Sequence, residues 1–132
     1  APSMSENIPA ELKYTKDHEW ARTSGSDLVV GITHHAAQTL GDIVYVELPK
    51  VGAVITAGEP FGTVESVKAV SELFAPVSGK VVKVNEAVEG EPELLNEEPY
   101  GDGWLIEVTP SDSKQLADLL DAKAYGELLK SQ

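Results

Sequence analysis

The feature that most constrains this chain is its punctuation. Most of the chain reads as apolar, β-branched runs of five or six residues that Gly, Pro or Asn interrupts or bounds before a helical period can establish itself. Leu28-Val29-Val30-Gly31-Ile32 is one such run, and Ile43-Val44-Tyr45-Val46-Glu47-Leu48, stopped by Pro49, is another. Val51 to Val84 alternates strands with turns at Gly52, Gly58, Pro76 and Ser78-Gly79. Trp104-Leu105-Ile106-Glu107-Val108 supplies a later strand. A chain cut this way buries its apolar residues by pairing strands into sheets, not by bundling helices.

Helices are confined to two places. Thr33 to Leu40 reads as two helical turns, with Thr33 as N-cap and Gly41 ending the helix. Near the C-terminus, Pro110-Ser111-Asp112 offers cap chemistry ahead of Leu116, Leu119 and Leu120 at helical spacing. Ala122, Tyr125, Leu128 and Leu129 continue the stripe, so one or two short helices are expected to pack on the β body. The polar stretch from Pro92 to Gly103, broken by Pro99 and Gly101, reads as a loop. Ile55-Thr56-Ala57-Gly58-Glu59-Pro60 resembles Ala87-Val88-Glu89-Gly90-Glu91-Pro92, a faint repeat that would set two tight turns beside strands of a pseudo-twofold sandwich.

Charge and length bound the function. The 132 residues suit one domain. The 22 acidic residues outnumber the 10 basic ones, for a net charge of −12, and the basic residues are scattered. Nucleic acid, which demands clustered Lys and Arg, is not an expected partner. The acidic excess suits docking on basic surfaces and fits a simply solvated exterior equally well. The absence of Cys removes disulfides, thiolate metal sites and a cysteine nucleophile, so any sulfur chemistry has to arrive on a prosthetic group. No apolar run approaches the ~20 residues of a membrane span.

Residues 1–10 show neither a signal core nor an Arg-rich transit pattern and are expected to be an N-terminal extension. Ala1-Pro2-Ser3 reads as a cloning remnant before a natural start at Met4. Residues 11–132 are then expected to be a single domain, soluble and intracellular.

Catalytic constellations do not emerge. No Gly-x-Ser-x-Gly elbow, P-loop or dinucleotide fingerprint is present. His34 and His35 diverge by about 100° on a helix, and His18 is distant in sequence, so a metal site is not expected. Attention falls instead on Lys68. Val64-Glu65-Ser66-Val67-Lys68-Ala69-Val70-Ser71-Glu72-Leu73 reads as two strands meeting near Val67-Lys68, with the lysine projecting from the tip. Such an amine is open to a modifying ligase, and it is equally compatible with a solvated turn lysine. The local pattern leaves both readings open.

A wider pattern favours the first. Glu65-Ser66-Val67-Lys68-Ala69 followed by Ala75-Pro76-Val77-Ser78-Gly79 is similar to a lipoyl-attachment hairpin and its return strand. Upstream lie Lys13-Tyr14-Thr15-Lys16-Asp17-His18-Glu19-Trp20, Val30-Gly31-Ile32-Thr33 and Leu40-Gly41-Asp42-Ile43-Val44-Tyr45-Val46-Glu47-Leu48-Pro49. Downstream lies Asn96-Glu97-Glu98-Pro99-Tyr100-Gly101-Asp102-Gly103-Trp104. Together these resemble the H proteins of the glycine cleavage system over about residues 11 to 129. Generic lipoyl and biotinyl domains share only the central hairpin, and biotinyl carriers have Met where Val67 and Ala69 stand here.

The resemblance implies a mainly β, lipoyl-domain-like barrel-sandwich hybrid with short helices, including C-terminal ones. It implies a carrier, not a catalyst, with lipoate in amide linkage on Lys68. In the family, a pyridoxal-phosphate glycine decarboxylase (P protein) loads an aminomethyl group onto the arm, and the tetrahydrofolate-dependent aminomethyltransferase (T protein) removes the one-carbon unit. Dihydrolipoyl dehydrogenase (L protein) then reoxidises the dithiol. A lipoate-attaching enzyme completes the implied partners, among which a monomer circulates, in bacterial cytoplasm in preference to the mitochondrial matrix.

Several further expectations attach to this resemblance. A cationic cargo calls for a carboxylate, because burying an unpaired ammonium costs several kcal/mol. Glu19, with Trp20 as an apolar wall beside it, is the candidate, against the alternative of a strand-pairing acid. Some family members carry His where Thr39 stands, so Thr39 supplies no imidazole. Glu65, Ser71 and Glu72 are candidates for ligase and partner recognition. The rival readings are a lipoyl or biotinyl domain of a larger enzyme, and a relay protein that supports lipoylation of other enzymes.

Overall fold

Strand pairing organises most of the chain, as its punctuation requires. The computed structural model describes residues 12–111 and 114–130. The expected extension over 1–10, Asp112 of the expected cap and the side chain of Leu116 lie outside the described residues.

The larger sheet is built from β1 (Lys13–Tyr14), β2 (Glu19–Ser24), β3 (Asp27–Ile32), β5 (Val54–Ile55), β8 (Gly79–Val84) and β9 (Ile106–Pro110), in the order β1-β2-β3-β9-β8-β5. A second sheet has the order β4-β6-β7, from β4 (Ile43–Glu47), β6 (Pro60–Ser66) and β7 (Val70–Phe74). The strand pairs are antiparallel. Val30, Val81, Ile106 and Val108 of the larger sheet meet Val46, Val64 and Leu73 of the smaller one in a single buried cluster. Full burial of each such side chain contributes about 1.5–3 kcal/mol relative to exposure. The architecture is the expected mainly β hybrid of two facing sheets.

The first helix, α1 (His34–Leu40), has the expected ends. Thr33 Oγ1 accepts from the Ala36 amide, and Gly41, at φ 83°, donates its N–H to the Ala37 carbonyl. That left-handed backbone is tolerated because glycine carries no Cβ.

Two expectations are corrected after β8. The chain turns into α2 (Glu86–Gly90) and then α3 (Leu94–Glu97), so the stretch after Pro92 is not all loop. Val88 and Leu95 are fully buried, and a helical turn lets each reach the core while its polar neighbours stay outside. Asn85 fixes the entry: its Oδ1 accepts from the Ala87 amide while Nδ2 donates to the carbonyls of Asp102 and Trp104. The faint repeat therefore has no structural counterpart. Its first copy is a turn leading into β6, with Gly58 at φ 83°, and its second lies largely within α2.

The C-terminal stripe forms α4 (Lys114–Ala117) and α5 (Ala122–Lys130). Tyr125 of α5 is fully buried and stacks on Tyr14, with ring centroids 4.7 Å apart. Leu120, Ala122, Leu128 and Leu129 pack on the same second cluster, which contains Trp20 and Leu12. The stripe is a core contact.

Candidate functional site

The β6–β7 hairpin ends in a turn whose backbone is extensively hydrogen-bonded. Ser66 N–H donates to the Ala69 carbonyl at 2.8 Å, and Ser66 Oγ accepts from the amides of Lys68 and Ala69 at 3.2 and 3.1 Å. Val67 N–H leaves the hairpin to meet the Asp42 carbonyl at 3.0 Å. The serine at this position thus does for the turn what a backbone carbonyl would otherwise do. Lys68 is exposed at the tip. Its stem passes beside Gly41, where a methyl group would stand 3.3 Å from Cε.

Register sorts the other candidates. Tyr45, Glu65 and Val70 lie directly opposite one another across the three strands, and Glu47, Thr63 and Glu72 form the next such row. Alternation puts both rows on one face, so Glu65 and Glu72 share a surface with the exposed Tyr45 and Val70. Ser71 pairs with the buried Val64 and points to the other face, apart from the two glutamates. Thr39 is exposed on α1 and offers no imidazole.

Glu19 opens β2 and is only 2% exposed. Its Oε2 accepts from the Phe74 amide at 2.9 Å, and its Oε1 accepts from Thr15 Oγ1 at 3.1 Å. Burial pushes its pKa up to about 8, against the opposing effect of those two hydrogen bonds. The expected apolar wall is corrected: Trp20, the next residue along the strand, faces the opposite way. Its ring is fully buried in the second cluster, with Nε1 donating to the Pro99 carbonyl.

The histidines form a different arrangement from the one considered in sequence. His18, at φ 67°, brings its ring to 4.7 Å from that of His35, and its Nδ1 is 2.8 Å from Tyr125 Oη. Burial, followed by the neighbouring His35, lowers the His18 pKa. Among the described residues no group of three or more His, Cys, Asp or Glu is placed to hold a metal ion.

Comparison with known proteins matches residues 12–132 to the family model for the glycine cleavage H-protein. The chain belongs to that family. The glycine cleavage system H protein of Myxococcus xanthus is 56% identical over 128 residues, covering 97% of this chain and 99% of the relative. That of Bacillus cereus strain AH187 is 57% identical over 122 residues, covering 92% and 96%. The crystal structure of the H protein from Mycobacterium marinum superposes with a TM-score of 0.82 at 42% identity, covering 91% of this chain and 97% of that one. Among the described residues, no helix of this H protein is long and apolar enough to cross a membrane.

Membership in the glycine cleavage H-protein family makes the chain a carrier component of that system, of a family that carries lipoate. The residues present fit such a group: the tip amine is exposed, and the turn beneath it is fixed by hydrogen bonds. Sequence reasoning missed the neighbours that hold this turn, Asp42 and Asn96. Asn96 lies in the stretch read as loop, where the apolar pair Leu94-Leu95 was the available sign that this segment reaches the core.

Proposed function

We propose that Lys68 carries lipoate in amide linkage and that residues 11–132 act as one lipoyl-carrier domain. The carrier passes the aminomethyl group of glycine from the P protein to the T protein and returns to the L protein for reoxidation. The observation that carries the reading is the exposed Lys68 amine on a turn whose backbone is fixed by Ser66 and Asp42. A ligase active site can close around such a stem without unfolding the hairpin. The bound group would supply a dithiolane, and hence both reactive sulfurs, to a chain that has no cysteine to compete for them by exchange.

The chain's own residues would do three things. Lys68 holds the arm through its Nζ. The face of Glu65 and Glu72, with Tyr45 and Val70, meets the attaching enzyme and the partner enzymes. Glu19 provides the carboxylate for a cationic cargo, and an arriving ammonium would favour its ionised form by displacing the proton that burial retains. A soluble monomer in the cytoplasm completes the proposal, and the bacterial relatives support the bacterial setting.

Reconstitution tests the shuttle. With lipoate, ATP, a lipoate ligase and the partner enzymes, the wild-type chain should support glycine-dependent exchange of labelled bicarbonate. Lys68→Arg should not. Exchange that survives Lys68→Arg would remove the residue on which the reading depends.

A further inference from the structure

The root of the arm is held by an element far from it in sequence. Asn96 lies in α3, which is itself firmly seated: Leu95 is fully buried, and a methyl group at Gly103 would stand 2.6 Å from the carbonyl oxygens of Leu94 and Glu98. From this position the Asn96 amide reaches the segment that follows α1. Its Oδ1 accepts from Ile43 N–H at 2.9 Å, and its Nδ2 donates to the Gly41 carbonyl at 2.8 Å. Only one orientation of the amide satisfies both partners. The two hydrogen bonds straddle Asp42.

Asp42 and Gly41 are the residues that meet the hairpin tip. The Asp42 carbonyl accepts from Val67 N–H at 3.0 Å. Gly41 lies against the Lys68 stem, where an added methyl would be 3.3 Å from Cε and 3.8 Å from Nζ. We propose that Asn96 is a positioning residue for the arm: it aligns the Asp42 carbonyl with the tip of the hairpin and lays Gly41 as the bed of the Lys68 stem. The arm then leaves the protein along the C-terminal end of α1, not in any direction from the tip. Gly41 serves twice: its φ of 83° disfavours a side chain, and the absence of one lets the Lys68 stem lie close against the backbone. The inference rests on the reading that Lys68 bears the arm.

The test uses the full chain, isotopically labelled, with Asn96→Ala and Asn96→Asp. Asn96→Asp keeps an acceptor for Ile43 N–H and loses the donor to Gly41. Three readouts are taken: the nuclear Overhauser contact between Gly41 Hα and Lys68 Hε, hydrogen exchange at the Val67 amide, and kcat/KM for lipoylation by a ligase. In the wild type the Gly41–Lys68 contact is expected. In Asn96→Ala it should vanish, Val67 exchange should accelerate about tenfold, as for one lost hydrogen bond, and kcat/KM should fall about tenfold. Asn96→Asp, whose second carboxylate oxygen faces the Gly41 carbonyl with no donor, should lose at least as much as Asn96→Ala.

A variant destabilised away from α1, Leu12→Ala in the second cluster, separates positioning from stability. It should leave the Gly41–Lys68 contact and the relative protection of Val67 as in the wild type. Retention of the contact in a folded Asn96→Ala protein, with Val67 exchange within about twofold of wild type, overturns the proposal; so does equal loss in Leu12→Ala. If Asn96→Ala does not fold, Asn96→Asp decides by the same two spectroscopic readouts. Failure of the wild type to be lipoylated would sink the carrier reading instead, while contact and exchange still decide whether Asn96 positions the stem.

Discussion

The amide of Phe74 donates to the buried carboxyl of Glu19 at 2.9 Å, tying the last residue of β7 to the first of β2 across 55 positions of sequence. The group that receives this bond has a pKa pushed up to about 8 by burial. In the unfolded chain it returns to its ordinary value of 4.5. Below pH 4.5 both states hold the proton, and Glu19 adds no pH dependence. Between 4.5 and about 8 the unfolded chain releases the proton and the folded one keeps it, so stability falls as pH rises. Above about 8 both are ionised and the slope ends. The full effect is on the order of several kcal/mol.

Glu19→Gln removes that slope while its amide carbonyl can still accept from Phe74. Urea unfolding at pH 5 and pH 8.5 should show the wild type losing stability between the two values relative to the variant. Parallel behaviour of the two proteins would mean that Glu19 is ionised throughout.

Tyr125 joins three parts of the chain through one oxygen. Its hydroxyl lies 2.8 Å from His18 Nδ1 and 2.7 Å from Thr33 Oγ1, and Thr33 is the fully buried N-cap of α1. Tyr125→Phe keeps the stacked ring on Tyr14 and leaves those two polar atoms short of a partner. A loss of about 1–3 kcal/mol is expected in denaturant titration. An unchanged midpoint would show that neither bond contributes.

Gly31 is required by the indole that crosses it. A methyl group there would stand 2.5 Å from Trp20 Cε2, inside any tolerable contact. Gly31→Ala should cost about 1–3 kcal/mol or more, the range for overpacking a filled core. In a Trp104→Phe background, Trp20 emission should shift to the red as the ring is displaced towards water. Unaltered emission and stability would place the indole elsewhere.

These contacts mark the boundary of what the sequence could reveal. The tip lysine, the Thr33 cap and the Gly41 stop were legible because each is a local device written in adjacent residues. So was the strand-rich fold, through runs cut by Gly and Pro. The burial of Glu19 was not, because its partner Phe74 is distant in sequence and a lone Glu in a polar segment gives no sign of it. α3 escaped for another reason. At four residues, with no side-chain cap bond at Glu93, it has neither the length nor the signal of a helix, and it is held by Leu95 in the core. The repeat misled because Gly-Glu-Pro can end a turn or a helix, and Asn85 selects the latter for the second copy.

Charge should appear in the kinetics. A net charge of −12 draws basic partner surfaces by long-range attraction that salt screens. Raising ionic strength from about 20 mM to about 500 mM should slow partner-dependent transfer, chiefly through slower association. A rate independent of salt would assign docking to the apolar Tyr45 and Val70 instead.

The central claim is that Lys68 is the attachment point. Intact mass and peptide mapping after incubation with lipoate, ATP and a lipoate ligase test it most directly, with Lys68→Arg alongside. The account predicts one lipoyl addition, located on Lys68 and absent from the variant. No addition to folded wild-type protein, with the ligase active on a control substrate, or an addition mapped to another lysine, would contradict it.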